Sequence, residues 1–393
     1  MNREIKRVVF LTLSPLSSRD YERFGIDILE SSGLKVEVIY LGYLVYRIEN
    51  NIEFSDMAYE ITDYTQLKES FLKFKRDSIF VKLFGLSSKT IKIDIFLSKY
   101  NVLSVGVNQN IIPLTIKEIS YFEKIRFHLK TLSINGLLQK LIFLYSIKIL
   151  RIKASNYMIL GGLKSNNIKD DSITKIWTHS LDYNLFLEQK KTNKIVTNDK
   201  YVLYLDEYLP YHPDYKKIGI DREYKDIADI YYQKMNSFFD NIEKNYNLKV
   251  IIAVHPRAEY KKIGDVWSGR EIIFGKSIEL VKDSLFCMMH ASTSINFSVL
   301  YQKPILFLTF KELEPLYGSF ISSFSKEIGC SKIFIDNEFN KNQIDKSLIV
   351  KEKEYKRYRE NYIKKSGTPE KNSWQIFADF IKKENGEMKN VQQ

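Results

Sequence analysis

The sequence VIIAVHPRAEY (residues 250–260), followed by EIIFGKSIELVKDSLFCMMHASTSINFSVLYQKPILFLT (residues 271–309), contains short apolar runs with polar turns between them. The runs are Val250–Val254, Glu271–Phe274, Leu285–Met289 and Pro304–Leu308. Short apolar runs that are flanked by turn or helix-start signals are typical of buried parallel strands. This stretch therefore predicts an α/β sheet.

Polar residues follow the first three of these runs. They are His255-Pro256-Arg257, Gly275-Lys276-Ser277 and His290-Ala291-Ser292-Thr293-Ser294. Ligands bind at the carboxyl ends of the strands in an open α/β sheet. We therefore expect one edge to collect two histidines, an arginine, a lysine and a hydroxyl cluster that opens a helix. This set is suited to an anionic ligand such as a nucleotide phosphate.

Length and charge narrow the class of protein. The 393 residues are enough for two domains, and an apolar fraction of 44% with 27% charged residues is ordinary for a soluble globular protein. The formal net charge of +12 favours anionic partners. Because no dense Lys/Arg run contains interleaved aromatic residues, anionic substrates or an anionic membrane surface are favoured over nucleic acid.

The cysteines and the apolar segments favour a cytoplasmic protein. Cys287 lies inside an apolar run and Cys330 follows a glycine, with neither metal-ligand spacing nor a disulfide framework. The apolar run after Arg7 is too short for a signal peptide. The longest apolar stretch, Leu137–Leu150, contains two lysines and is too short to span a bilayer.

Alternating strand and helix signals occur along the rest of the chain. The further predicted strands are Val8–Leu13, Lys35–Leu41, Ser78–Phe84, Asn101–Val107, Ser155–Leu160, Lys175–Thr178 and Tyr201–Leu205. The main predicted helices are Tyr21–Ser31, Asp63–Lys75, Lys89–Lys99, Tyr224–Tyr246 and Pro369–Asn385, the last with Thr368 as N-cap and Gly386 as its end. The opening βαβ unit has no GxGxxG fingerprint.

This pattern predicts two doubly wound, Rossmann-like α/β domains that face a central cleft, with the C-terminal helix packing back toward the first domain. The polar stretch 190–200 is the predicted boundary. The predicted ranges are 1–195 for the first domain, 196–365 for the second, 366–386 for the helix and 387–393 for a disordered tail.

The segment 114–153 is rich in basic residues, and its apolar residues recur at helical spacing. It fits one or two surface helices that cover a sheet. It also fits a basic amphipathic face that lies on anionic lipid, which would make the protein a peripheral membrane protein.

Phosphate chemistry is predicted for the tips of the sheet. His255 can donate to a phosphate, Pro256 ends the strand, and Arg257 offers a bidentate fork. Ser292, Thr293 and Ser294, beside His290, can cap the next helix and add an anion site. Lys276 can add positive charge or be a solvated turn residue.

Carboxylates supply the predicted acid–base chemistry. Asp206 and Glu207 can act in proton transfer or hold a sugar or ribose hydroxyl, as can His212-Pro213-Asp214, or they can be capping acids in a polar loop. Within His179-Ser180-Leu181-Asp182, Asp182 is the first candidate for the base that deprotonates an acceptor, and Asp20 is the second. Asp182 can instead cap the helix that follows.

The region of residues 200–310 resembles the donor-binding half of GT-B glycosyltransferases. It is most similar to bacterial sialyltransferases and related enzymes that use CMP-activated nonulosonic acids or Kdo. Those enzymes carry an HP motif and a serine pair that contact CMP; here His255-Pro256 and Ser292-Thr293-Ser294 match them. Their acidic D/E-D/E-G motif lies in the first domain, whereas Asp206-Glu207 precedes Tyr208.

The resemblance implies a transferase that moves a sugar from a CMP donor to a glycan acceptor in capsule, O-antigen or lipooligosaccharide synthesis. It implies an acceptor domain at 1–195, a donor domain at 196–365, a nucleotide-sugar substrate, and no metal or other cofactor. The implied acceptor is a glycan or lipid-linked glycan at the inner membrane, whose anionic surface the segment 114–153 would contact. Related motifs occur in CDP-glycerol and polyol-phosphate transferases. A UDP-sugar transferase, a UDP-sugar epimerase or hydrolase of this fold, and a non-catalytic assembly scaffold remain alternatives.

Overall fold

The computed structural model describes residues 4–47, 56–113, 145, 155–168, 170–192, 195–197, 199–213, 215 and 220–390. Contacts divide the chain into two compact units. The described residues of Met1–Ile111, Tyr121–Leu181 and Lys364–Gln393 form the first unit. Those of Ile112–Ser120 and Asp182–Ile363 form the second. The basic segment predicted at 114–153 lies outside the described residues, apart from Tyr145.

In its described residues, the first unit has a sheet of seven parallel strands in the order β3-β2-β1-β4-β5-β6-β7. The strands are β1 Arg7–Thr12, β2 Lys35–Tyr40, β3 Ala58–Glu60, β4 Ser78–Lys82, β5 Ser104–Asn108, β6 Tyr157–Leu160 and β7 Thr174–Trp177. The described α-helices are Ser18–Arg23, Ile26–Ser31, Gly42–Tyr46, Tyr64–Phe74, Ile91–Lys99 and Ser373–Asn390, with a 3₁₀ turn at Leu163–Ser165.

The described residues of the second unit form a sheet of six parallel strands in the order β10-β9-β8-β11-β12-β13. The strands are β8 Tyr201–Leu205, β9 Lys249–Val254, β10 Ile272–Phe274, β11 Cys287–Met289, β12 Ile305–Thr309 and β13 Lys332–Phe334. The described α-helices are Leu181–Thr192, Asp221–Lys225, Ala228–Tyr246, Tyr260–Ile263, Ser277–Asp283, Ile295–Leu300, Glu314–Glu327, Lys341–Ser347 and Glu352–Tyr358. A 3₁₀ turn spans Leu209–Tyr211, and a π-helical turn spans Arg359–Ile363.

The central strands of each sheet are buried on both faces, which explains why they are continuous apolar runs. In β1, Val8 and Phe10 belong to one apolar cluster, while Val9 and Leu11 belong to the cluster on the other face. The predicted α/β fold class with two doubly wound parallel sheets is thus confirmed.

The C-terminal helix packs on the first unit, as predicted. Its Trp374 indole lies edge-on to Phe10, with ring centroids 5.3 Å apart, and its Nε1–H donates to the carbonyl of Arg23 at 2.8 Å. Asn385 donates to the carbonyl of Ile5 and accepts from its N–H, at 2.9 and 2.8 Å. The C-terminal helix is therefore hydrogen-bonded to the rest of the first unit through Trp374 near its start and Asn385 in its second half.

Some of the predicted helix bounds are wrong. The helix predicted at Tyr21–Ser31 is divided at Gly25, which has a left-handed φ of 58°. The last helix begins at Ser373 and continues past Gly386 to Asn390, so the predicted start, end and disordered tail are not found in the described residues. A glycine interrupts a helix only where the backbone needs its conformation, and Gly386 lies within regular helix.

The division between the units also differs from the predicted boundary at 195/196. The helix Leu181–Thr192 packs within the second unit, where the Phe186 ring lies edge-on to Tyr301 with centroids 5.1 Å apart. The apolar contacts of this helix, and not the polar composition of the stretch after it, decide where the unit begins.

Candidate functional site

The carboxyl ends of β9, β8 and β11 are neighbours in the second sheet because the three strands pair in parallel in that order. His255 follows β9, Asp206 follows β8, and His290 follows β11. Neighbouring strands lie about 4.8 Å apart, so the tips of β9 and β11 are about 10 Å apart with the β8 tip between them. The structure thus brings the predicted motifs to one edge.

His212, His255 and Arg257 form a basic cluster at this edge. The imidazole rings of the two histidines have centroids 4.9 Å apart. Nη2 of Arg257 lies 3.4 Å from Nε2 of His212, and the backbone N–H of Arg257 donates to Nδ1 of His255 at 3.2 Å. Arg257 is exposed and both histidines are partly exposed, so the cluster can offer positive charge and N–H donors to a phosphate.

His212 was not predicted to belong with the phosphate-binding residues. It reaches the cluster through the 3₁₀ turn Leu209–Tyr211, which carries the chain from the β8 tip toward His255. The signal was present, because both histidines precede a proline near a strand end. Asp214, which follows His212-Pro213, lies outside the described residues.

The hydroxyl cluster after β11 forms a local turn. Oγ of Ser292 accepts from the backbone N–H of Ser294 at 3.2 Å, and the carbonyl of Ser292 accepts from Ile295 at 3.1 Å. Ser292 is buried, whereas Thr293 is exposed and Ser294 is half-buried. The two later hydroxyls are therefore available to a ligand, and Ser292 shapes the turn.

Lys276 follows β10 and is exposed. Gly275 before it has a φ of +69°, the left-handed conformation that favours glycine in a tight turn. The lysine thus lies at the same edge of the sheet, one strand beyond the tip of β9.

Asp206 is buried, and its carboxylate binds the backbone and a side chain of adjacent loops. Oδ1 accepts from the N–H of Tyr208 and Oδ2 accepts from the Tyr260 hydroxyl, both at 2.8 Å. The backbone N–H of His255 is a further hydrogen-bond partner of this carboxylate. Burial raises the pKa of Asp206 to about 6, although these donors act in the opposite direction.

Glu207 is buried in the same way on the other side of β8. Oε1 accepts from the backbone N–H groups of His290 and Ala291 at 3.1 and 2.7 Å. Oε2 accepts from the Tyr317 hydroxyl at 2.9 Å. Burial raises the pKa of Glu207 to about 7. Both predicted acids therefore contact protein groups at the positions where a sugar or ribose hydroxyl was expected.

His290, predicted to bind the donor, is fully buried, so its side chain is covered at this edge of the sheet. Its Nδ1 lies 2.7 Å from the carbonyl oxygen of Leu308, and its Nε2 lies 3.1 Å from the Tyr231 hydroxyl. Burial lowers the pKa of His290 to about 4, so the imidazole is neutral near pH 7. The neutral imidazole of His290 thus connects the tip of β11 to Leu308 on β12 and to Tyr231 on the helix Ala228–Tyr246.

The two predicted bases lie in different units. Asp182 belongs to the second unit, not to the first domain as predicted, and its Oδ2 accepts from Nδ2 of Asn296 at 2.7 Å. Asp20 lies in the first turn of the helix after β1 and is partly exposed; its Oδ2 accepts from the Ser17 hydroxyl at 2.7 Å. Only Asp20 therefore comes from the first unit.

His179, the histidine beside Asp182 in the sequence, is fully buried in the first unit. Its Nε2 lies 2.7 Å from the carbonyl oxygen of Lys371, and its Nδ1 lies 3.0 Å from the carbonyl oxygen of Ser180. Burial lowers the pKa of His179. This histidine joins the end of β7 to the segment before the C-terminal helix.

Within the described ranges, no three His, Cys, Asp or Glu side chains are grouped as they would be to hold a metal ion. The described helices also include none that is long and apolar enough to cross a membrane.

No protein-family model matches the sequence, and no curated protein matches it. Several solved structures are similar. A variant of the wall teichoic acid polymerase TagF has a TM-score of 0.50 at 11% identity, covering 100% of this chain and 91% of that chain. The calicheamicin glycosyltransferase CalG4 has a TM-score of 0.50 at 11% identity, with 98% and 99% covered.

A UDP-GlcNAc 2-epimerase from Methanocaldococcus jannaschii has a TM-score of 0.48 at 11% identity, with 96% and 99% covered. At such identities, the likeness to TagF and CalG4 describes the fold alone. The chain therefore has the two-domain α/β fold of GT-B glycosyltransferases.

Proposed function

We propose that this protein is a transferase that uses a nucleotide-activated donor and binds the donor phosphates at the tips of β9 and β11. The observation that carries the proposal is the basic cluster of His212, His255 and Arg257, which lies at the carboxyl edge of the second sheet. Thr293 and Ser294 would add hydroxyl donors from the other side of β8, and Lys276 would add positive charge.

The donor in this proposal is a cytidine nucleotide, with a CMP-linked nonulosonic acid preferred and a CDP-linked polyol second. The HP and serine motifs support this choice, because they resemble those that contact CMP in sialyltransferase-like enzymes. The acceptor would be a surface glycan, and the residues 114–153 would place the protein on an anionic membrane surface.

The proposed reaction is a single displacement. An acceptor hydroxyl attacks the anomeric carbon of the donor, and the bond to the nucleotide breaks with its electron pair leaving on the phosphate oxygen. His255 and Arg257 stabilise the charge that develops there. Because Arg257 supplies positive charge and His255 adds an N–H donor, the reaction would need no metal ion. The base in this proposal is one of the two predicted acids, Asp182 or Asp20, each of which accepts a side-chain hydrogen bond at Oδ2.

Thermal-shift measurements with CMP, CDP, UDP, GDP and ADP test the proposal. Ligands that bind the native state raise its melting temperature. We expect a shift with a cytidine nucleotide, and we expect His255→Ala and Arg257→Ala to reduce it. The matched control is Arg222→Ala, because Arg222 is an exposed arginine on another helix of the same unit.

A shift with UDP and not with the cytidine nucleotides would support the proposed phosphate site, and it would identify a uridine nucleotide as the donor. The absence of a shift with all five nucleotides would contradict the proposed function. A shift that persists unchanged in both cluster variants would place the nucleotide elsewhere in the protein.

A further inference from the structure

Asp206 and Glu207 each bind the loop on one side of β8. Asp206 bonds to the loop after β9, through the N–H of His255 and the hydroxyl of Tyr260. Glu207 bonds to the loop after β11, through the N–H groups of His290 and Ala291. We propose that the two acids are positioning residues, which hold the two anion-binding loops in place without contacting the donor. This inference rests on the proposed function.

Direct contact with a donor is disfavoured because the acids are covered and their oxygens are occupied. Asp206 is 4% exposed and Glu207 is 7% exposed. The oxygens of Glu207 accept from two backbone N–H groups and from the Tyr317 hydroxyl. A hydroxyl of a ligand would have to displace one of these donors and leave it without a partner in the interior, which is costly.

Asp206 and Glu207 connect two loops, those after β9 and β11, that are not adjacent in the sheet. The tips of β9 and β11 are not neighbours, because β8 lies between them. The basic cluster at β9 and the hydroxyls at β11 must therefore keep their spacing through the residues that follow β8. Asp206 and Glu207 are consecutive in the chain, and their side chains bind opposite neighbours. The dipeptide thus fixes the distance between the two halves of the site.

The positioning role requires a side chain of the right length, and it does not require a negative charge. A protonated Glu207 can still accept both backbone N–H groups at Oε1, and its own O–H can donate to the Tyr317 oxygen. Glutamine has the same length and presents the same oxygen, with its amide N–H replacing the O–H. Aspartate keeps the charge but is one methylene shorter, so it cannot make the same contacts with the tip of β11.

The test therefore compares Glu207→Gln with Glu207→Asp, and Asp206→Asn with Asp206→Glu. The dissociation constants of CMP and CDP are measured by calorimetry on the full chain. We expect the amide variants to bind within about threefold of the wild type, and the variants of altered length to bind at least about tenfold more weakly. Glu314→Gln is the control, because Glu314 binds Thr309 and Lys332 and no loop backbone.

Hydrogen exchange of the same variants separates positioning from general loss of structure. Glu207→Asp should increase exchange in the peptide that contains His290 and Ala291, while β9 and β12 keep the protection of the wild type. Asp206→Glu should do the same for the peptide that contains His255.

Two results would overturn the inference alone. One is wild-type affinity in both variants of altered length. The other is an equal loss of affinity in the amide variants, which would show that the charge itself acts on the donor. If the wild-type protein binds neither CMP nor CDP while UDP, GDP and ADP also fail, the proposed function is contradicted and the inference is contradicted with it.

Discussion

The Tyr231 hydroxyl lies 3.1 Å from Nε2 of His290 in the interior of the second unit. Nδ1 of this histidine faces the carbonyl oxygen of Leu308 at 2.7 Å and must carry the proton, which leaves Nε2 as an acceptor. Tyr231 therefore donates to His290, and its oxygen can accept from the Tyr204 hydroxyl, 2.7 Å away. The order of donors and acceptors in this buried chain is fixed.

The first prediction concerns the contribution of these buried hydrogen bonds to stability. Tyr231→Phe removes the hydroxyl that donates to His290 and accepts from Tyr204, leaving two buried polar groups without this partner. We expect the free energy of unfolding of the second unit to fall by about 1–3 kcal/mol. Chemical denaturation followed by tryptophan fluorescence measures this, because Trp267 lies in the same aromatic layer.

His290→Ala should cost more than Tyr231→Phe, because it also leaves the Leu308 carbonyl without its donor and creates a cavity. Tyr246→Phe is the control, since its hydroxyl donates to Asp345 at the surface. Equal stability of Tyr231→Phe and the wild type would show that the hydrogen bonds of Tyr231 contribute nothing to the free energy of unfolding.

The second prediction concerns pH. The pKa of Glu207 is raised to about 7 from 4.5, so the folded protein binds a proton more tightly than the unfolded chain does. Stability from this group is thus present below pH 4.5 and is lost as the pH rises to about 7. The expected loss is of the order of 3 kcal/mol. Asp206, with a pKa raised to about 6, adds a loss of the same sign.

His290 has the opposite effect, because its pKa is lowered from 6.5 to about 4. The unfolded chain binds the proton more tightly, so stability from His290 is lost as the pH falls from 6.5 to about 4. The comparison of wild type with Glu207→Gln isolates the carboxylate, since both proteins retain the histidine. We expect the variant to gain stability relative to the wild type between pH 4.5 and 7. A constant difference across this range would contradict the prediction.

Much of the fold follows from the sequence because both faces of each sheet are buried. The run Tyr201–Leu205 is predicted at its observed bounds, and Val250–Val254 differs from β9 by one residue. β3 (Ala58–Glu60) and β13 (Lys332–Phe334) were not predicted. Each is a three-residue edge strand that includes a charged residue, Glu60 or Lys332, so neither shows the continuous apolar run that marks β10 (Ile272–Phe274).

The site is only partly predictable, because side-chain burial depends on contacts that are distant in the chain. The positions of His255 and Arg257 follow from the strand before them. The covered states of Glu207 and His290 depend on Tyr317 and Tyr231, which lie on separate helices. A polar residue after a strand can face a ligand or the interior, and the local sequence is the same in both cases.

The third prediction concerns Arg270, which attaches the loop before β10 to the helix Ala228–Tyr246. Its guanidinium forms an ion pair with Asp240 and donates to Glu243 at 2.7 Å and to Asn236 at 3.0 Å. The Arg270 side chain is 6% exposed, whereas its acidic partners are more exposed. We therefore expect Arg270→Ala to lower the melting temperature of the second unit, with a cost of about 1–3 kcal/mol.

Arg222→Ala is the control for this prediction, since Arg222 is 90% exposed and lies 4.0 Å from Asp226. Its loss should change the free energy of unfolding by less than about 0.5 kcal/mol. If the two variants melt at the same temperature, the buried contacts of Arg270 contribute no more to stability than those of an exposed arginine.

The fourth prediction concerns Gly25 and Trp374 in the first unit. Gly25 has a φ of +58°, and a Cβ atom placed on it would lie 2.5 Å from Cδ1 of the Trp374 indole. Gly25→Ala should therefore be destabilising through both backbone strain and overlap with the indole, by more than about 2 kcal/mol. Differential scanning calorimetry of the full chain measures the effect on the first unit.

Gly33 provides the matched control, because its φ is +89° and nothing lies within 4 Å of an added Cβ atom. Gly33→Ala should show the backbone strain alone. A double-mutant cycle then isolates the overlap: Trp374→Ala costs packing energy by itself, but it removes the atoms that the new methyl group meets. The cost of Gly25→Ala should thus be smaller in the Trp374→Ala background. Additive costs would show that the C-terminal helix does not pack against Gly25 in solution.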